Sequence, residues 1–135
     1  MVASPQLIGL RVLLVEDEAM VAMMVEDMLT ALGCVVVDVA GTVSRGLAIA
    51  GDAGKQLDGA ILDVNLGGEK VYPIAEALAG RGVPFIFSTG YSLAGIAEAF
   101  AHIPILPKPY EQEDLEVQLV DTIATFAHKK SEKPN

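Results

Sequence analysis

A chain of 135 residues with a formal charge of −9 and a single cysteine has room for one packed domain and too little for two. The lone Cys34 excludes an intrachain disulfide and a multi-cysteine metal site, and so acidic a surface argues against non-specific attraction to nucleic acid. No apolar run approaches the ~20 residues of a membrane span, and Met1 to Leu10 lacks the basic and apolar regions of a secretory signal, so the expectation is a soluble cytoplasmic protein with no nucleic-acid or membrane partner.

Residues 1–10 read as an N-terminal extension, 11–128 as the folded domain and 129–135 as a flexible tail. Arg11 to Val15 is a short run of Val and Leu, the mark of a strand buried on both faces. Glu16, Asp17 and Glu18 follow it. Val21, Met24, Val25, Met28, Leu29 and Leu32 then recur at helical steps, with Gly33 as the stop. This pattern predicts Met24 and Met28 in the core, with Met20 and Met23 partly exposed and available to a partner helix. Cys34 reads as a small buried apolar group.

Val35 to Val39 is a second strand, and Thr42 suits the cap of a helix reaching about Ala53, weakened by Gly46. Gly59 to Leu62 is a third strand, ending at Asp63. A loop with Gly67 and Gly68 leads to a helix from about Tyr72 to Gly80, with Pro73 in its first turn. Pro84 to Phe87 is a fourth strand, ending in Ser88-Thr89-Gly90, and a weak helix interrupted by Gly95 follows over 93–101. Ile103 to Leu106 is a fifth strand. The last helix begins near Glu111, where acidic residues favour its positive end, and turns Leu115, Leu119, Ile123 and Phe126 to one side. His102 and His128 read as surface residues.

Five alternations of short apolar strand and helix predict an α/β fold, a parallel sheet covered on both faces. The expected architecture is a flavodoxin-like, doubly wound (βα)5 sheet in strand order 2-1-3-4-5. Its working edge lies at the carboxyl ends of the strands. Glu16, Asp17 and Glu18, then Asp63, then Ser88 and Thr89, then Lys108 all fall there. Crowded carboxylates repel unless a cation joins them, and a few oxygen ligands suit Mg²⁺. A carboxylate beside such a cation can itself be a nucleophile toward phosphorus. Each residue has an ordinary reading too, as a helix-opening acid, a strand-end turn former or a loop lysine; it is their coincidence at successive strand ends that points to chemistry.

The runs Val12-Leu13-Leu14-Val15-Glu16-Asp17-Glu18, Ile61-Leu62-Asp63-Val64-Asn65-Leu66, Thr89-Gly90 and Lys108-Pro109 resemble the motifs of response-regulator receivers, over essentially Arg11 to Phe126. The resemblance implies that Asp63 is the phosphoacceptor. It implies that Asp17 binds Mg²⁺ (or Mn²⁺) directly, that Glu16 helps through water and that the Asn65 backbone carbonyl completes the ligands. Lys108 would pair with the phosphoryl group, Thr89 would be the switch hydroxyl, and the Lys108-Pro109 bond would be cis. Pro84 to Tyr91 and Asn65 to Glu69 resemble more closely the stand-alone "FAT GUY" receivers of bacterial stress signalling and phosphorelays.

The implied partners are a sensor histidine kinase or a histidine phosphotransfer protein, with output by protein binding or onward phosphotransfer, as a monomer or phosphorylation-dependent dimer. The chain would be a self-phosphorylating, self-dephosphorylating acceptor rather than a conventional enzyme. Ile105 stands where many receivers carry a switch aromatic; Tyr91 and Tyr110 are the candidates to replace it. Gly90 leaves room beside the phosphoryl group, Asn65 and Tyr91 flank the expected water path, and 91–101 is expected to be mobile. The alternative is a pseudo-receiver that binds partners without phosphorylation. A flavin protein needs a phosphate-cradling loop where this chain has three acids, and a strand-end-Asp phosphatase needs a second Asp where Asn65 stands.

Overall fold

The computed structural model describes residues 5–90 and 96–132, with side chains to residue 122. Five strands, β1 (Arg11–Val15), β2 (Val35–Ala40), β3 (Gly59–Asp63), β6 (Phe85–Thr89) and β7 (Ile105–Pro107), form one parallel sheet in the order β2-β1-β3-β6-β7. This is the expected 2-1-3-4-5 order of an α/β, flavodoxin-like sheet. The two intervening short strands, β4 (Asn65–Leu66) and β5 (Glu69–Lys70), make a separate antiparallel hairpin.

Strand alternation divides the core in two. Leu13, Val15, Leu62 and Phe87 face α2 (Val43–Ala50) and α3 (Tyr72–Gly80), where Ile49, Ile74 and Leu78 complete one cluster. Leu14, Ile61 and Ile86 face α1 (Ala19–Ala31) and α4 (Gln112–Glu132), meeting Leu29, Leu115 and Leu119. Continuous apolar runs in β1, β3 and β6 follow from this double burial.

Local chemistry sets the ends of the helices. Gly33, at φ 95°, closes α1: its amide donates to the Thr30 carbonyl and that of Cys34 to the Leu29 carbonyl, both at 3.0 Å. The Thr42 hydroxyl accepts from the Arg45 amide at 3.1 Å and opens α2. At the start of α4 the Asp114 carboxylate accepts the Glu111 amide at 2.9 Å.

Three expectations need correction. Met24 is exposed, at 59%, and Met28 only half-buried, because the buried stripe of α1 is Ala22, Val25, Leu29 and Leu32. The small Ala22 lets that stripe face the sheet and rotates Met24 outward. Helix α2 ends at Ala50 rather than Ala53, since Gly51 follows and the Asp52 carboxylate accepts the Gly54 amide instead of continuing the helix. In place of a helix over 93–101, the described part holds a 3-10 turn at Glu98–Phe100; residues 91–95 lie outside the described residues. The Tyr72 hydroxyl accepts the Ala97 amide at 2.9 Å and its ring stacks on Phe100 at 5.4 Å, tying that segment to α3. The backbone of α4 is helical as far as Glu132.

Among the described residues ahead of β1, Leu7 and Gly9 make contacts with the folded domain. Leu7 is fully buried in the α1/α4 cluster, and the Gly9 amide donates to the Gly33 carbonyl at 2.8 Å. Cys34 is buried as expected, and burial pushes its thiol up to about 11. His102 is exposed; the side chains of Ile123, Phe126 and His128 lie outside the described residues. No helix among the described residues is long and apolar enough to cross a membrane.

Candidate functional site

Backbone bonds carry the sheet one residue beyond its strands and fix where the site begins. The Glu16 amide donates to the Ala40 carbonyl at 2.9 Å, Val64 to Ser88 at 3.1 Å and Lys108 to Thr89 at 2.9 Å. Asp63 lies opposite Ser88 in the β3–β6 register. Acid, hydroxyl and lysine therefore emerge side by side at one edge of the sheet.

Glu16 and Asp63 are buried carboxylates, 5% and 8% exposed, while Asp17 is exposed. One oxygen from each can be chosen so that all lie within 4.8 Å of one another. The Lys108 ammonium bridges the two buried acids, 2.7 Å from Glu16 Oε1 and 3.1 Å from Asp63 Oδ2. Glu16 Oε2 accepts the Glu18 amide at 3.1 Å, and Asp63 Oδ1 accepts the Asn65 amide at 3.3 Å. A cavity of about 500 Å³ opens above, lined by Asp17, Glu18, Asp63, Asn65, Gly90 and Lys108, with Gly67 and Gly68 at its rim.

Burial raises the Glu16 carboxyl above its ordinary value, helped by the Asp63 charge and opposed by the hydrogen bonds from Lys108 and Glu18. Burial pulls the Lys108 ammonium down, but its hydrogen bonds to Glu16 and Asp63 outweigh this and hold it up. Three carboxylates against one ammonium leave two negative charges, the charge a divalent cation supplies. An all-oxygen set with open volume above it fits Mg²⁺, which retains waters and takes further oxygens from phosphate.

The structure brings Glu16, Asp17, Asp63, Asn65, Gly90 and Lys108 together around this cavity. Thr89 is buried at the end of β6, and its carbonyl anchors Lys108. A Cβ added at Gly90 would meet Lys108 Cβ at 4.0 Å, so the missing side chain leaves open space rather than relieving a clash. Lys108-Pro109 is cis. Tyr91 lies outside the described residues.

Three features were not read from the sequence. The Tyr110 phenol faces the Ser88 hydroxyl, a buried group without a hydrogen bond of ordinary geometry among the described residues. The Gly67 amide donates to Asp17 Oδ2 at 2.9 Å, tying the hairpin to the acids. Lys70 Nζ donates to Asn65 Oδ1 at 2.6 Å. The signal for the last two was present: two glycines between Leu66 and Glu69 mark a two-residue hairpin turn.

No family model and no curated protein matches the chain. Among solved structures, SdrG from Sphingomonas melonis Fr1 is 40% identical, with 88% of this chain and 97% of that one covered and a TM-score of 0.72. The BeF3-activated conformation of SdrG, from Pseudomonas melonis Fr1, is 44% identical over 84% and 95%, at a TM-score of 0.71. The receiver domain of the sensor histidine kinase PA1611 from Pseudomonas aeruginosa PAO1, with magnesium coordinated in its active-site cleft, is 27% identical over 86% and 98%, at 0.75. The parallel sheet, the acids and lysine at its edge, and this degree of identity over nearly whole chains agree: the chain belongs to the response-regulator receiver family.

Proposed function

We propose that the protein is a phosphoacceptor of a two-component system or phosphorelay, taking a phosphoryl group from a phosphohistidine onto Asp63. The observation that carries this reading is the Lys108 ammonium held between Glu16 and Asp63, at the mouth of a three-carboxylate cluster. Phosphoryl transfer demands positioning and charge neutralisation above all.

An Asp63 oxygen bonds to phosphorus as the donor's N–P bond breaks, and the imidazole nitrogen keeps that electron pair. Lys108 exchanges its contact with Asp63 for an oxygen of the arriving group, and the Thr89 hydroxyl turns to a second oxygen as the switch. Asp17, Asp63 and the Asn65 backbone carbonyl, with Glu16 acting through water, would hold Mg²⁺ or Mn²⁺, which would supply the remaining neutralisation. Gly90 keeps the approach open, and Pro109 shapes the turn after Lys108. The magnesium coordinated in the active-site cleft of the PA1611 receiver supports a metal-binding role for the acidic cluster, and the BeF3-activated conformation of SdrG supports the phosphoryl role.

The partners that fit are a sensor histidine kinase or histidine phosphotransfer protein in the cytoplasm, with output through protein binding or onward transfer by a monomer or a phosphorylation-dependent dimer. The runs Pro84 to Tyr91 and Asn65 to Glu69 favour the FAT GUY group. Incubation with a small phosphodonor and Mg²⁺ should label the parent chain and leave Asp63→Asn unlabelled. Equal labelling of both, or of neither, contradicts the assignment.

A further inference from the structure

The hairpin that follows Asp63 places a second cation on Asn65, two residues along the chain from Asp63. Gly67 and Gly68 both have positive φ, 55° and 92°, the conformation of a type I′ turn. A two-residue turn fixes register, so Asn65 stands opposite Lys70 and Leu66 opposite Glu69. Leu66 is buried in the α2/α3 cluster, which orients the hairpin, and the Gly67 amide on Asp17 Oδ2 holds its tip. Within this frame Lys70 Nζ lies 2.6 Å from Asn65 Oδ1.

That contact polarises the Asn65 amide. An ammonium carries donors and no acceptor, so the end of the amide it meets must be the oxygen. The end left to the cavity, which Asn65 lines with Asp63, Gly90 and Lys108, is then the donating NH2. The distinction bears on hydrolysis of an aspartyl phosphate. Water attacks phosphorus in line with a lone pair, the phosphorus–oxygen bond to Asp63 breaks, the carboxylate keeps the pair, and a water proton passes to solvent. An amide oxygen facing the water accepts a hydrogen bond from it and aims the lone pair at phosphorus. An amide NH2 in its place competes for that lone pair.

We infer that Lys70 is a positioning residue that holds the Asn65 amide oxygen away from the cavity and so prolongs the life of phosphorylated Asp63. This rests on the phosphoacceptor reading above and adds a determinant of its lifetime. The hairpin register, and not proximity in sequence, delivers the ammonium to Asn65.

The test is the first-order loss of radiolabel from protein phosphorylated with a small phosphodonor in Mg²⁺, after removal of the donor. Lys70→Met keeps the aliphatic stem and removes the donors; it should speed the loss by a factor of about three or more, the size of one modest net hydrogen bond. Lys70→Arg restores the donors and should return the slow rate. In an Asn65→Ala background, where no amide remains to be turned, Lys70→Met should change nothing. A Lys70→Met rate equal to or slower than that of the parent overturns the inference, as does an equal acceleration in the Asn65→Ala background, which would assign the effect to charge alone. A parent chain that takes up no label removes the phosphoacceptor reading and this inference with it. Normal labelling with unaltered Lys70→Met decay removes the inference only.

Discussion

One ammonium serves two buried carboxylates at the sheet edge, with Lys108 2.7 Å from Glu16 and 3.1 Å from Asp63. Lys108→Met should slow phosphorylation by roughly tenfold or more, since a donor aimed at developing charge is lost. The same substitution should tighten Mg²⁺ binding in calorimetry, because a positive charge no longer competes for the same acids; weaker binding would contradict the charge account. Glu16 gives a second test. Its carboxyl is held above its ordinary 4.5, chiefly by burial. A carboxyl raised in the folded state favours the fold below its unfolded value and loses that contribution as pH rises through the folded value. In metal-free protein Glu16→Gln should therefore raise the melting temperature near neutrality, with the gain vanishing below about pH 4. A gain that persisted in acid would point to packing instead.

Gly46 shows how the elements constrain one another. It lies inside α2, where alanine is ordinarily favoured by about 1 kcal/mol, yet a Cβ there collides with Ile74 Cδ1 of α3. Ile74 is fully buried, so any shift of its side chain must be made within the packed core. Gly46→Ala should lower stability to chemical denaturation in the parent and raise it in an Ile74→Val background; the same sign in both would show that the two helices do not meet as described. From the sequence Gly46 was legible only as a weak point, because its partner comes from another helix. Strands β1, β3 and β6 were legible, since double burial writes an unbroken apolar run. So were the Thr42 cap and the Gly33 stop, whose chemistry is local. The rotation of α1 that exposes Met24 was not, since Met and Ala are both apolar and only packing chooses between them. Nor was the tether from Tyr72 to Ala97, which joins residues 25 apart.

For the whole molecule, strand order makes the site. Glu16, Asp63 and Lys108 are 47 and 45 residues apart in sequence, yet the order β1-β3-β6-β7 delivers their side chains to one edge. This arrangement was legible because parallel strands all end on the same side, so four strand ends could be scanned together. The pair Ser88–Tyr110 was not, as it depends on a turn that periodicity does not specify, and the pair Asn65–Lys70 was signalled by the Gly67-Gly68 turn alone. A metal that binds the folded cluster and not the unfolded chain must stabilise the fold by mass action. Saturating Mg²⁺, at about a hundred times its dissociation constant, should add about 2.7 kcal/mol. Asp17→Asn should abolish most of that increment, and an undiminished shift in its melting curve would place the ion elsewhere.

Leu7 carries a practical corollary. A boundary drawn where the first motif begins, at Arg11, would amputate a side chain that fills the interior between α1 and α4, together with the amide that Gly9 lends to Gly33. Tags and fusion partners therefore belong ahead of Leu7, where joining them leaves the interior whole.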